Sequence, residues 1–174
     1  MLYRQYSIFF ILRKVVRQVQ IINNLILMKH SLKVAILSFI LASKMKLSTK
    51  KCITLFFAGL LHDIGKTKLN QNILYKKDKL TEGEFEYIKQ HVAFGVELLR
   101  KYKISEDIYR IVEQHHERDD GTGYPRGWKD NEICEEAKIL RYADVYDALT
   151  SNRAYRKKYT KKKAIEIMMK EELI

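Results

Sequence analysis

One proline stands in 174 residues, at Pro125, and only seven glycines accompany it. A chain with so few breakers has little with which to stop a helix. Proline removes an amide donor and clashes with the preceding turn, and glycine costs a helix backbone entropy. The apolar spacing agrees, because steps of three and four recur along most of the chain. They predict helices over 6–27, 30–46, 49–63, 81–101, 105–117, 135–149 and 160–171, with irregular stretches at 64–80 and 118–134. Two of the starts carry capping chemistry: Ser48 or Thr49 ahead of "KKCITLFFAGLL", and Thr81 with Glu84 three residues on. No alternating apolar and polar run is long enough for a sheet. The expected class is all-α, in a single domain at this length.

The lone proline closes "HHERDDGTGYP", residues 115–125, where polar groups crowd at a break between helices. The chain has five histidines, His30, His62, His91, His115 and His116. A single histidine is most simply a satisfied side chain, but the settings here add up. His62 is followed by Asp63 at the end of an apolar helix, and burying an unpaired carboxylate is costly, so the pair calls for a cation. His115 and His116 close the helix that begins near Ser105, and Asp144 sits inside the apolar "RYADVYDALTS". Imidazoles and carboxylates without thiolates suit a first-row ion such as iron or manganese better than structural zinc. Cys52 and Cys134 lie too far apart in sequence for a metal-type pair and read as reduced thiols of a cytoplasmic chain.

A formal charge of +12 favours anionic ligands. Much of it lies in Arg153, Arg156, Lys157, Lys158, Lys161, Lys162 and Lys163. Aromatic residues are not interleaved with that run, which argues against a nucleic-acid polymer as partner. At the N-terminus "YSIFFIL" is followed at once by Arg13, Lys14 and Arg17, well short of the roughly 18 apolar residues a membrane span needs. No small-residue cleavage site follows either, so a signal peptide is not expected. Ile8, Leu12, Val15, Val19, Ile22 and Ile26 make a narrow apolar stripe. Residues 1–28 are therefore expected to form an amphipathic helix that packs on its own domain, links it, or pairs with a second copy as a homodimer. Residues 29–174 form the domain proper.

Five segments together carry a resemblance. "HSLKVA" (30–35), "HDIGK" (62–66), "KLTEGEFEYIKQH" (79–91), "HHERDDGTGYP" (115–125) and "ADVYDALTSNRAYR" (143–156) are similar, in that order, to the HD-GYP subgroup of the HD-domain metal-dependent phosphohydrolases. The likeness covers roughly residues 30–158. It implies a helical bundle with two divalent metal ions held between helices. His62, Asp63, His91, His115, His116 and Asp144 would be the ligands, with Asp63 bridging, and His30 matches the first histidine of the general HD pattern. It implies cyclic di-GMP, a bacterial second messenger, as substrate, hydrolysed to pGpG or GMP. Two such ions lower the pKa of a bridging water and draw charge off phosphate oxygens. Lys66, four residues after His62, reaches the same face if the helix continues and could there hold a phosphate oxygen beside Asp63. Gly121 and Gly123 permit tight turns and Pro125 fixes the chain direction. The resemblance gives the segment Gly123, Tyr124 and Pro125 a role in binding substrate or a partner signalling domain. Arg153 and Arg156 are candidates for clamping a phosphate or a guanine edge.

The chain also departs from the family pattern. Members with a third metal carry a glutamate four residues before the first histidine, and Ile26 stands there instead. A two-metal site and pGpG as product are the expectation. Val92, "YKKDKL" and Cys134 replace common prolines or a "KPGKL" stretch, which bears on loop rigidity rather than on ligands. Family domains usually continue past the point where Ile174 ends this chain, so a truncated domain is one expectation. The competing readings are an HD phosphohydrolase acting on another cyclic dinucleotide, and a non-catalytic domain that binds nucleotide or a signalling partner.

Overall fold

The computed structural model describes residues 21–152 and 157–170, with side chains from residue 27 onward. Its elements in order are α1 (Ile21–Lys44), α2 (Thr49–Leu61), a 3-10 turn (Ile64–Lys68), α3 (Gln71–Leu74), α4 (Glu82–Lys89), α5 (His91–Lys101) and α6 (Glu106–Gln114). A second 3-10 turn (Asp130–Glu132) then leads to α7 (Glu135–Thr150) and α8 (Lys161–Lys170). Among the described residues there is no strand, only one isolated antiparallel bridge between Asp120 and Lys129. The fold is all-α, as the periodicity requires.

Helix α2 is the centre of the bundle. Its Cys52, Leu55, Ala58 and Leu61 share one core with Val34 and Ala42 of α1, Ile108, Ile111 and Val112 of α6, and Ala137, Leu140 and Ala143 of α7. Each fully buried leucine or isoleucine there contributes on the order of 1.5–3 kcal/mol. A Cβ on Gly59 would stand 2.7 Å from the Ala35 Cα, so the missing side chain lets α1 and α2 come into close contact. This packing brings the C-terminal ends of α2 and α6 together over the middle of α7.

Of the departures from the sequence expectation three have a local reason; besides them α6 ends at Gln114, short of 117, and α3 lies within the expected irregular stretch. Helix α1 runs unbroken through the expected gap at 27–30. Lys29, His30 and Ser31 interrupt the apolar stripe, but polar residues in a helix mark a face rather than an end. Helix α2 stops at Leu61 rather than at 63, and the chain tightens into the 3-10 turn. The expected helix over 81–101 is two helices meeting at Gln90, whose N–H closes a three-residue turn onto the Tyr87 carbonyl (3.2 Å). Gly65 explains why both changes occur side by side. A Cβ there would lie 1.8 Å from the His91 carbonyl oxygen, so the two turns are pressed backbone to backbone.

The start of α4 forms as its capping residues predict. The Thr81 hydroxyl accepts from the Glu84 N–H (3.2 Å), and the Glu84 carboxylate accepts from the Thr81 N–H (2.8 Å) and from Lys76 (2.8 Å). Thr81→Ala should therefore cost about 1 kcal/mol in urea denaturation. A midpoint equal to wild type would show that α4 does not depend on its cap.

Candidate metal centre

Three histidines use one device. His62 and His115 stand just after the last turns of α2 and α6, and His91 just after that of α4. The end of a helix leaves carbonyls without an intrahelical donor. Each ring turns back and gives its Nδ1–H to the carbonyl three residues earlier: His62 to Gly59 (2.7 Å), His91 to Ile88 (2.8 Å), His115 to Val112 (2.6 Å). That bond fixes the tautomer and leaves the Nε2 lone pair free, the arrangement typical of an imidazole that binds metal. The three Nε2 atoms, with Asp63 Oδ1, are buried and without a hydrogen-bond partner among the described residues. Each orphaned buried group costs about 1–3 kcal/mol. A divalent ion that accepts those lone pairs removes the cost, so the residues fit the group their chemistry implies.

Two ligand clusters adjoin. Donor atoms of Asp63, His91, His115 and His116 lie within 4.8 Å of one another, and those of His30, His62 and Asp144 do the same. Asp63 joins them: Oδ2 is 3.3 Å from His62 Nε2 and 3.7 Å from His30 Nε2, and Oδ1 is 3.5 Å from His91 Nε2. Lys66 reaches Asp63 Oδ2 at 2.6 Å, not because α2 continues but because the 3-10 turn returns it three residues later. His30 comes from the middle of α1, with Nε2 3.1 Å from Asp144 Oδ1 and Nδ1 2.7 Å from Asp147 Oδ2. Asp147 is itself held by Ser151 (2.9 Å).

The electrostatics follow from this crowding. Burial pushes His91 down to about 4 and His115 to about 3, the latter with help from the neighbouring His62 and His91. His116 is lowered by burial and by His115 beside it. These imidazoles are neutral at pH 7 and available as donors. Burial opposes the charge on Asp63, but His62 and Lys66 outweigh it and hold the carboxyl well below its usual range. Asp144 is lowered likewise, chiefly through His30 against burial. His30 goes the other way: burial disfavours its charge, yet hydrogen bonds to Asp144 and Asp147 raise it to about 9. The corner beside His30 thus attracts positive charge.

The segment after His116 forms a lip over this centre. The Glu117 carboxylate, 0% exposed, accepts from the backbone N–H groups of Arg126 (2.7 Å) and Trp128 (3.0 Å). Arg141 donates to the Glu117 carbonyl (2.8 Å) and to Asp119 (2.8 Å). Gly121 has φ +79, as its turn role requires. Gly123 is needed for a different reason: a Cβ there would meet the Arg118 N at 2.4 Å and the Glu117 Cα at 2.5 Å. Tyr124 is fixed by its N–H on the His116 carbonyl (3.1 Å), and its ring lies 4.6 Å from the His116 ring. The Tyr124–Pro125 peptide is cis. Burial raises the Tyr124 phenol, so it stays protonated.

The structure brings together all seven residues expected to bind metal, with Lys66 and the Gly123–Pro125 segment beside them. Arg153, Arg156 and most of the N-terminal stripe lie outside the described residues. Sequence reasoning missed Asp147, Glu117, Arg141 and Gly65. Asp147 had a signal, since it lies one helical turn after Asp144 in an apolar helix. Gly65 also had one, as the glycine inside "HDIGK". Glu117 and Arg141 looked like two more surface charges.

Comparison with known proteins agrees with this geometry. A family model described as HD domain matches residues 15–173. The chain is 39% identical over 139 residues to 3'3'-cGAMP-specific phosphodiesterase 3 of Vibrio cholerae, covering 80% of this chain and 30% of that protein. It is 39% identical over 140 residues to a cyclic di-GMP phosphodiesterase of Pseudomonas aeruginosa, covering 80% and 34%. A cyclic di-GMP phosphodiesterase of Thermotoga maritima is 40% identical over 130 residues, covering 74% and 35%. The chain thus spans about a third of the length of these curated relatives. Among solved structures, Bd1817, a HDG"Y"P protein from Bdellovibrio bacteriovorus, aligns with a TM-score of 0.69 at 25% identity over 83% of this chain and 46% of that one. The HD domain of the Listeria monocytogenes phosphodiesterase PgpH shares the fold, with a TM-score of 0.62 at 19% identity over 83% and 77%. With its His-Asp pair, its GYP segment and these relatives, the chain belongs to the HD-domain family, in the HD-GYP branch.

Proposed function

We propose that the protein is a metal-dependent phosphodiesterase that cuts cyclic di-GMP to pGpG. The observation that carries the reading is the set of buried Nε2 lone pairs, aimed by their Nδ1 bonds at the space around Asp63. His30, His62 and Asp144 would hold one divalent ion and His91, His115 and His116 a second, with Asp63 shared; iron or manganese suits these donors. Ions bound there supply a lowered water pKa and neutralisation of phosphate charge. The residues do the rest. Lys66, a cation at the edge of the centre, holds a non-bridging phosphate oxygen. The Nδ1 bonds keep the imidazoles from turning, and Tyr124 covers the mouth and excludes water. Arg153 and Arg156 are proposed to take a further phosphate oxygen or a guanine edge.

Ile26 offers no carboxylate one turn before His30, which supports a two-metal site and a single cleavage. Residues 29–174 are proposed as the catalytic unit. Residues 1–28 would be its packing, linking or dimerising segment, and the lip a place for a signalling domain to dock. No helix among the described residues is long and apolar enough to cross a membrane. The second reading is 3'3'-cGAMP as substrate, because the relative from Vibrio cholerae with that specificity matches at the same identity as the one acting on cyclic di-GMP in Pseudomonas.

The test is to load the protein anaerobically with iron or manganese, supply cyclic di-GMP and 3'3'-cGAMP in parallel, and resolve products by chromatography. Cyclic di-GMP should give pGpG, at a higher kcat/KM than 3'3'-cGAMP. The reverse preference supports the second reading. Turnover that survives the double change His62→Ala, Asp63→Ala rules out both.

A further inference from the structure

A line of contacts leads out of the centre onto α4. The His116 ring lies 4.6 Å from the Tyr124 ring, and Lys89 Nζ lies 5.4 Å from the centroid of that same tyrosine. The same ammonium is 4.9 Å from the Phe85 ring centroid. Phe85 and Lys89 are four residues apart and share one face of α4, which ends at Lys89, two residues before His91. Phe85 is 48% exposed, so a broad aromatic surface faces solvent beside the mouth of the centre. The Lys89 ammonium also touches Glu86 at 2.6 Å, but that carboxylate is 60% exposed, and an ion pair screened by water is weak and readily exchanged for a phosphate.

A cyclic dinucleotide carries two phosphodiesters and two purines, and cleavage needs only one phosphate at the metal centre. The other half must rest on the protein outside the ligand cage. We propose that Phe85 and Lys89 form that second subsite: Phe85 stacks the purine of the uncut half, and Lys89 pairs with its phosphate. Every purine has a π-face, so the ring supplies affinity for the class, and Lys89 orients the anion. The subsite rests on the reading of the protein as a cyclic-dinucleotide phosphodiesterase. It assigns to α4 a task separate from placing His91.

The metal-loaded full chain can be assayed with cyclic di-GMP and with bis(p-nitrophenyl) phosphate, a phosphodiester that has no second half. Phe85→Ala and Lys89→Ala should each lower the ratio of kcat/KM for cyclic di-GMP to that for the small diester by about tenfold, through KM. Phe85→Trp and Lys89→Arg should restore most of the ratio. A ratio within about twofold of wild type in both alanine variants overturns the subsite, as does an equal loss on both substrates, which would mean that α4 merely misplaces His91. Should the wild type cut the small diester but neither cut nor bind a cyclic dinucleotide in calorimetry, the functional reading itself falls and the subsite with it. That result is distinct from a flat ratio in a wild type that does turn over cyclic di-GMP.

Discussion

Asp63→Asn should leave the purified protein depleted of metal and lower turnover of the proposed substrate, cyclic di-GMP, by about a thousandfold or more. The carboxylate is 2% exposed and both oxygens are committed, Oδ2 towards His62, His30 and Lys66, Oδ1 towards His91. Asparagine keeps the shape but not the chemistry. It is neutral, so two ions would share a site with one negative charge fewer. Its amide NH₂ either donates to an imidazole lone pair that a metal ion would otherwise take, or faces the Lys66 ammonium, where an acceptor is wanted. Metal per chain can be counted by elemental analysis after anaerobic purification. Thermal unfolding gives a second measure, because an ion that binds only the folded state raises its stability with concentration. Manganese should raise the wild-type midpoint and leave that of Asp63→Asn nearly flat. A variant with a full metal complement and turnover within about threefold of wild type would remove Asp63 from the centre.

The helices and the residues of the candidate site were legible in the sequence for the same reason: both are written in short-range patterns. The three-residue spacing of Cys52, Leu55, Ala58 and Leu61 places α2 without knowledge of its neighbours, and the order of the five motifs places the histidines. What could not be read is where a backbone meets another backbone. The close fit of Gly65 against the His91 carbonyl ends α2 early and splits 81–101, yet in sequence it is a single glycine in one segment and an unremarkable histidine in another. Helix α1 hid its continuity because the polar face that His30 turns towards Asp144 and Asp147 looks like a gap in the apolar stripe. His30 sits on that face, and Asp147 becomes its partner only once α1 and α7 are packed together. The charges of Glu117 and Arg141 were invisible as anchors because the groups they hold are mostly peptide N–H and C=O, which every sequence has everywhere; Asp119, the one side chain among them, meets Arg141 only once the loop has folded back.

Glu117 is where that hidden information has its largest measurable consequence outside the ligands. Its carboxylate is the acceptor for two loop N–H groups, those of Arg126 and Trp128, and no water reaches it to take over. Glu117→Ala leaves both donors without it, at about 1–3 kcal/mol each, and leaves a void besides. A loss of about 3–5 kcal/mol in urea denaturation is expected, the size associated with breaking a buried polar network. Glu117→Gln should lose less, since one oxygen remains, although its NH₂ then faces an N–H. Trp128 is the only tryptophan in the chain, so its emission reports the loop directly and should shift to the red in both variants. The comparison that decides the cause is Arg126→Ala. The Arg126 side chain pairs with Glu113 at an exposed position (2.8 Å), whereas it is the Arg126 backbone that Glu117 holds. Arg126→Ala should therefore cost less than about 1 kcal/mol; its guanidinium also lies 5.2 Å from the Trp128 ring centroid, so it is the loss of stability, not the emission, that separates the two causes. Equal losses in Arg126→Ala and Glu117→Ala would mean that the surface pair, not the buried carboxylate, holds Tyr124 over the metal centre.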